Sequence, residues 1–269
     1  NSLKTMSVQE VVNEFRLSFP DEVDKIKKTE LSKQGITLPR GTAIQKHPLF
    51  LEGAIEVQEE GSQLLTLLLD VKRGHMVADF CAGAGGKTLA LSALMKNTGR
   101  IYAFDISDRR LANMKQRLKR SGASNIAMQR ISNENDLKIK RLRNKLDRVL
   151  VDAPCTGLGT LRRNPDLKWR QTEESLAELA TKQASILEAA SKLCKKGGYL
   201  VYATCSILND ENENIVASFL ENNKHFKIIP QHTVMEKYGV DIGGGDFLKL
   251  TTHTHKTDGF FGALLQRIE

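Results

Sequence analysis

The sequence predicts an α/β protein built on a doubly wound, mostly parallel sheet and preceded by a small N-terminal module. Three observations predict it. Strand-like and helix-like patterns alternate from residue 58 onward, a glycine-rich turn (CAGAGGKT, Cys81 to Thr88) follows the first strand, and an acidic residue, Asp105, closes the second. Such alternation sets parallel strands side by side with helices on both faces, because a parallel pair needs a crossover rather than a hairpin turn. Of 269 residues, 40% are hydrophobic, 27% are charged and only 6 are Pro. That composition supports a buried core and excludes a disordered, collagen-like or low-complexity polypeptide.

Residues 1–57 read as short helices joined by irregular segments: Val8, Val11, Val12, Phe15 and Leu17 lie near helical spacing, and Gly35, Pro39, Gly41 and Pro48 then punctuate the chain. From Gln58 to Leu69 the apolar residues recur as a buried helix, Lys72-Arg73-Gly74 ends it, and Met76 to Phe80 reads as a short buried strand. An amphipathic stretch (Leu89 to Met95) and a strand (Arg100 to Phe104) complete a βαβ unit. A basic helix (Asp108 to Arg120), a strand (Ile126 to Met128), a basic segment (Lys138 to Lys145) and a strand (Val149 to Val151) ending at Asp152 continue the pattern. A long helix from Thr172 to Cys194, then Gly197-Gly198 and a strand from Tyr199 to Ala203, close the central run. The tail holds a helix (Glu211 to Leu220), a strand (Phe226 to Pro230), a break at Gly243-Gly244-Gly245 and a final strand (Gly259 to Ile268). No apolar run approaches the roughly 20 residues of a membrane-spanning helix.

The formal net charge of +8 favours polyanionic partners, nucleic acid first. Cys81, Cys155, Cys194 and Cys205 form no C-x-x-C pair, and no signal-peptide pattern opens the chain. Neither a zinc ribbon nor a secreted disulfide framework is suggested, and a reducing cytoplasm is expected. His253 and His255 have no third ligand near by in sequence, so no metal is assigned. The opening Asn1-Ser2, ahead of the first methionine at Met6, reads as part of something longer.

Gly86-Lys87-Thr88 resembles the end of a phosphate-binding P-loop, but that motif needs a glycine where Cys81 stands. Glycines between a strand and a helix instead let a ligand approach the backbone and the helix N-terminus, although these do not spell G-x-G-x-x-G cleanly and a plain tight turn is the alternative. Asp105, about 20 residues on, sits where such folds hold ribose hydroxyls, and capping the next helix is its alternative role. A nucleoside-containing cofactor without a large phosphate demand fits this pair.

Ligands in open α/β sheets lie beyond the carboxyl ends of the strands, where Asp152-Ala153-Pro154-Cys155 and Thr204-Cys205-Ser206 both fall. A free cysteine is usually a small buried hydrophobe, the role expected of Cys194 on a helix. Two thiols beside a carboxylate at one crevice are instead the components of covalent catalysis.

CAGAGGKT, VDAPCTGLGTLRRNPDLKW, YATCS and TDGFFGALL together resemble the RsmB/Sun (Fmu) family of S-adenosylmethionine-dependent RNA (cytosine-5) methyltransferases, over about Pro48 to Glu269. The resemblance implies a Rossmann-type class I methyltransferase domain over residues 58–269, and a small RNA-binding module, or what remains of one, over 1–57. It implies S-adenosyl-L-methionine cradled by Cys81, Ala82, Gly83, Ala84, Gly85, Gly86 and Lys87, its ribose held by Asp105 and its methionine end near Asp152. Cytosine C5 is a weak nucleophile, so a thiolate must first add to C6. Asp152 would share a proton with N3 and the Pro154 carbonyl would hold the exocyclic amine. The residues alone do not choose between the thiols, since related DNA methyltransferases use the cysteine of a Pro-Cys pair, here Cys155; the resemblance assigns attack to Cys205 and release to Cys155. Two departures stand out: the family commonly reads alanine and proline where Gly83 and Ala84 stand, and a third cofactor-contacting acid corresponds by spacing to Asn133, whose carbonyl is a weaker acceptor.

Arg162, Arg163 and Trp169 follow Cys155 and suit phosphate contacts with stacking on an unpaired base, against the alternative of a solvated loop. The expected activity is 5-methylcytosine formation in ribosomal RNA. The rivals are a tRNA or DNA cytosine-5 methyltransferase and a non-catalytic RNA-binding assembly factor.

Overall fold

The structure, a computed structural model, describes residues 1–269. Helix α1 (Val8–Ser18) starts at a capping box in which the Ser7 hydroxyl accepts the Glu10 N–H and the Glu10 carboxylate accepts the Ser7 N–H at 2.6 Å. Its buried face, Val11, Val12 and Phe15, packs on Ile26, Leu49, Ala54 and Ile55, which gives the first 57 residues a small core of their own. One feature departs from the expectation of short helices and irregular segments: an antiparallel pair of two-residue strands, β1 (Lys27–Lys28) and β2 (Ile36–Thr37), ahead of the short helix α2 (Pro48–Leu51). The Glu60 carboxylate ties this module to the remainder by accepting the Leu31 and Ser32 N–H groups, each at 2.7 Å. A cavity of about 530 Å³ runs along the seam, bordered by Met6, Ile36, Leu67 and Leu89.

Helix α3 (Glu60–Leu68) leads into β3 (Met76–Phe80), α4 (Gly86–Leu94), β4 (Arg100–Asp105), α5 (Asp108–Ser121) and β5 (Ile126–Arg130). The chain then crosses back through α6 (Leu137–Lys140) to β6 (Leu146–Asp152), α7 (Glu173–Ser191) and β7 (Cys194–Thr204). The last part comprises α8 (Glu213–Asn222), β8 (Phe226–Ile228), α9 (His232–Met235), β9 (Leu248–Leu250), α10 (Thr252–His255) and β10 (Phe260–Arg267). The sheet order is β5-β4-β3-β6-β7-β10-β8, with β9 also on β10; the first five strands are parallel, and β10 runs antiparallel to β7, β8 and β9. Alternate residues feed two cores on opposite faces. Phe80, Val149, Val151 and Tyr202 meet α7 and α8 on one side, while Val77, Leu150 and Val201 meet the leucines of α3 on the other.

The reversal at β3 matters for function. Going outward from β3, the chain builds β4 and β5 on one side and β6 and β7 on the other, so a crevice opens above the carboxyl ends of β3 and β6, where the helices diverge.

Three elements differ from expectation. The long helix ends at Ser191, not Cys194; Cys194 begins β7, pairs with Leu146 and is fully buried. Gly197-Gly198 therefore lie inside a strand, where Gly197 (φ 76°) makes an irregularity rather than a helix stop. The basic segment 138–145 holds only one helical turn, in α6. No helix is long and apolar enough to cross a membrane.

Candidate active site

The glycine-rich turn leaves β3 with Cys81 (φ 71°), Gly83 (φ 57°) and Gly85 (φ 85°) in the left-handed region. A Cβ on Gly85 would stand 2.5 Å from Met114 Cγ, so α5 closes over that side; one on Gly83 would meet nothing, so that side faces the open crevice. Gly85 caps α4 with no side chain, which leaves the first-turn N–H groups of α4 free for a ligand. Asp105, buried at the end of β4, accepts the Gly83 N–H at 2.8 Å with one oxygen and the Ser107 N–H at 2.8 Å with the other. Capping of α5 falls to Ser107, whose hydroxyl accepts the Arg110 N–H, so the alternative role for Asp105 goes to its neighbour. An uncapped helix end, an open glycine and a carboxylate with lone pairs to spare are the features a nucleoside cofactor such as S-adenosylmethionine requires, and these residues fit it. Asn133 is exposed beyond β5 and its side chain accepts the Asn135 N–H at 2.8 Å.

Lys87 reaches from α4 to the end of β6, where its Nζ lies 2.7 Å from Asp152 Oδ2. Burial lowers the Lys87 pKa, but Asp152, joined by the Asp79 and Cys205 charges, more than offsets this and holds the ammonium above its ordinary value. Beneath them Asp79 is fully buried; Thr88 donates to one carboxylate oxygen at 2.6 Å and the other has no partner. Burial raises its pKa to about 7. Burial also pushes the Cys81 thiol well up, with the Asp152 and Asp105 charges adding to the effect, so Cys81 stays protonated.

The ends of β6 and β7 bring the other two cysteines together, Sγ to Sγ, at 3.3 Å. Their hydrogen bond divides them: it lowers the Cys205 pKa, against the effect of burial, and raises that of Cys155, with burial reinforcing the rise. Cys205 is the thiol of the pair whose pKa is lowered and Cys155 the one whose pKa is raised. The Pro154 carbonyl accepts from Gln183 Nε2 at 2.9 Å, leaving one lone pair for a ligand.

Arg162 and Arg163 turn out to share one buried carboxylate, Asp258, at the entry to β10: Arg162 Nη2 lies 3.0 Å from one oxygen and Arg163 Nε 2.6 Å from the other. Both guanidiniums remain partly exposed beside the crevice. Trp169 is 81% exposed, with Lys168 Nζ 4.8 Å from its ring centre. His255 Nδ1 accepts the Thr251 N–H at 3.0 Å, a local role at the turn of α10.

Comparison with known proteins bears on this constellation. The model of the RsmB/F family, described as 16S rRNA methyltransferase, matches residues 66–266. The chain belongs to the RsmB/F family. Among curated relatives it is 36% identical over 238 residues to a probable ribosomal RNA small subunit methyltransferase B of Synechocystis sp., covering 87% of this chain and 52% of that protein. It is 33% identical over 239 residues to the corresponding protein of Bacillus subtilis, covering 88% and 53%. The chain thus spans about half the length of the curated relatives it matches. Among solved structures, a methyltransferase homolog from Pyrococcus horikoshii superposes with a TM-score of 0.80 at 31% identity, covering 99% of this chain and 84% of that one. NSun6 from the same organism, solved with SFG, an analogue of S-adenosylmethionine, gives 0.75 at 30% identity, covering 88% and 58%. Membership of the RsmB/F family accounts for the Rossmann-like sheet.

Sequence reasoning missed Asp258, Gln183, Glu211 and Asn212, all of which hold the loops of this site. Asp258 lies inside the TDGFFGALL motif, a signal that something there is needed; the other three carry no local signal, because their partners are set by the order of strands.

Proposed function

We propose that this chain is the catalytic part of an S-adenosylmethionine-dependent RNA (cytosine-5) methyltransferase acting on ribosomal RNA. The observation that carries the proposal is the thiol pair 3.3 Å apart at the mouth of the sheet, beside Asp152. Bound S-adenosylmethionine supplies an electrophilic methyl group.

Cys205, the thiolate, adds to C6 of an unpaired cytosine and makes C5 nucleophilic. Asp152, held by Lys87, shares a proton with N3 and so neutralises the charge that builds on the ring. The free lone pair of the Pro154 carbonyl receives the exocyclic amine. Once Cys205 is a thioether, the hydrogen bond that most raises the Cys155 pKa and the Cys205 charge are gone, while burial and the Glu211 charge still act on it. Cys155 can then ionise and remove the C5 proton, the C5–C6 double bond re-forms, and Cys205 leaves as thiolate. Trp169 offers an exposed face for a neighbouring base, and Arg162 and Arg163 meet phosphate with the N–H groups that Asp258 does not use.

The test is transfer of labelled methyl from S-adenosylmethionine to unmodified ribosomal RNA, tRNA and duplex DNA. Label in ribosomal RNA as 5-methylcytosine, lost in Cys205→Ala and trapped as a protein–RNA adduct in Cys155→Ala, supports the reading. Activity undiminished in Cys205→Ala overturns it.

A further inference from the structure

We infer that Glu211 and Asn212 are positioning residues, a two-residue clamp that holds the Cys155 and Cys205 loops at their working separation. The adjacent pair lies in the turn before α8, and each member reaches a different loop. The Glu211 side chain is fully buried; one carboxylate oxygen accepts the Thr156 N–H at 2.8 Å and the other accepts the Thr156 hydroxyl at 2.5 Å. Gln183 extends the grip, donating from Nε2 both to Glu211 and to the Pro154 carbonyl, each at 2.9 Å. The residues on either side of Cys155 are thereby tied to one carboxylate.

Asn212 does the same for Cys205. Its Oδ1 accepts the Thr204 hydroxyl at 2.5 Å and its Nδ2 donates to the Ser206 carbonyl at 3.1 Å, so both neighbours of Cys205 are held by one amide. The Tyr202 hydroxyl donates to the Glu211 carbonyl at 2.6 Å and fixes the clamp to β7. Between the loops themselves the direct links are few: the two thiols at 3.3 Å, the Gly159 N–H to the Cys205 carbonyl at 2.9 Å, and the Thr156 and Ser206 hydroxyls at 3.4 Å. A fully buried carboxylate is a costly way to fill space, where an apolar side chain would pack as well. Its three donors all come from the Cys155 loop or from the residue that holds that loop, which assigns it to the loop's position.

The clamp matters to catalysis through the two-thiol chemistry proposed above, and the test keeps the two apart. Phenylarsine oxide is captured by two thiols together, which displace its oxygen as water, so its affinity reports the separation of the pair without any methyl transfer. Wild type should capture it, and Cys155→Ala or Cys205→Ala should not. Glu211→Ala should weaken capture about tenfold, the scale of one hydrogen bond to a charged group. In single-turnover methylation it should slow release more than attack, so that adduct accumulates. Glu211→Gln, which retains an oxygen for the Thr156 N–H and a polar partner for its hydroxyl, should restore both readouts. Asn212→Asp, which replaces the donation to Ser206 by a carboxylate oxygen facing that carbonyl, is the second probe should Glu211→Ala fail to fold. A lower melting temperature with unchanged capture in Glu211→Ala and Asn212→Asp would overturn the clamp and leave an ordinary structural role. Capture lost in Glu211→Ala while wild type methylates nothing would uphold the clamp and sink the methyltransferase reading.

Discussion

Cys155 Sγ lies 3.3 Å from Cys205 Sγ, and the hydrogen bond between them raises the pKa of the first thiol and lowers that of the second. Two chemically identical side chains thereby take opposite pKa shifts from one contact.

Reaction with iodoacetamide near neutral pH should therefore modify Cys205 before Cys155. In Cys155→Ala the donor is gone and the Cys205 pKa should rise, so its alkylation should slow. Peptide mass spectrometry over a time course reads the order, and Cys155 reacting first would contradict the assignment.

Asp79 carries a stability signature. Its folded pKa of about 7 lies above that of an unfolded aspartate, so its contribution is fully present at low pH and is lost as pH rises through about 7. Asp79→Asn should remove that slope: relative to wild type it should gain stability between pH 5 and pH 8, by on the order of a few kcal/mol at most. Urea denaturation across that range decides the matter, and a difference that does not change with pH would refute the cause given.

The arginines flanking the crevice should prove to be structural as well as RNA-facing. Asp258 is fully buried and its carboxylate depends on Arg162 and Arg163. Each single Ala substitution should cost about 1 kcal/mol, and the double one about 3 kcal/mol, because only then is a buried charge left unpaired. Strictly additive losses in a double-mutant cycle would argue against the shared carboxylate.

Within the cofactor turn the glycines should rank differently. Gly85→Ala combines a left-handed backbone with a clash against Met114 and should cost about 2–4 kcal/mol. Gly83→Ala meets only the backbone term, about 1 kcal/mol. Denaturation midpoints of the two variants compare directly, and equal losses would mean that α5 yields freely.

The parallel strands were legible because they hold short apolar runs, two of them ending in an acid, Asp105 and Asp152. The convergence of the cysteines was legible for the same reason: they follow strand ends, and β6 and β7 are neighbours. Strands β1, β2 and β9 are too short to show a period, and Cys194 was misplaced because a glycine pair reads alike as a helix stop or a strand irregularity. Lys87 with Asp152 joins residues 65 positions apart, and Arg162 with Asp258 joins residues 96 apart. Such partners are chosen by sheet order, which no local window contains. The assignment of attack to Cys205 rests on resemblance, and the lowered Cys205 pKa runs in the same direction.

Strand β10 enters the sheet between β7 and β8, and on the way in the Gly259 N–H donates to the Gly159 carbonyl at 2.7 Å. Gly159 has no room for a side chain because that backbone presses against it. The loop bearing Cys155 thus takes its shape from residues a hundred positions later in the chain. During synthesis every reacting group would exist well before the pocket does. A ribosome-bound chain halted before β10 would carry both thiols, Asp152, the cofactor turn and the Glu211–Asn212 pair, yet lack the backbone that presses on Gly159, so the final shape of the Cys155 loop arrives only with that strand.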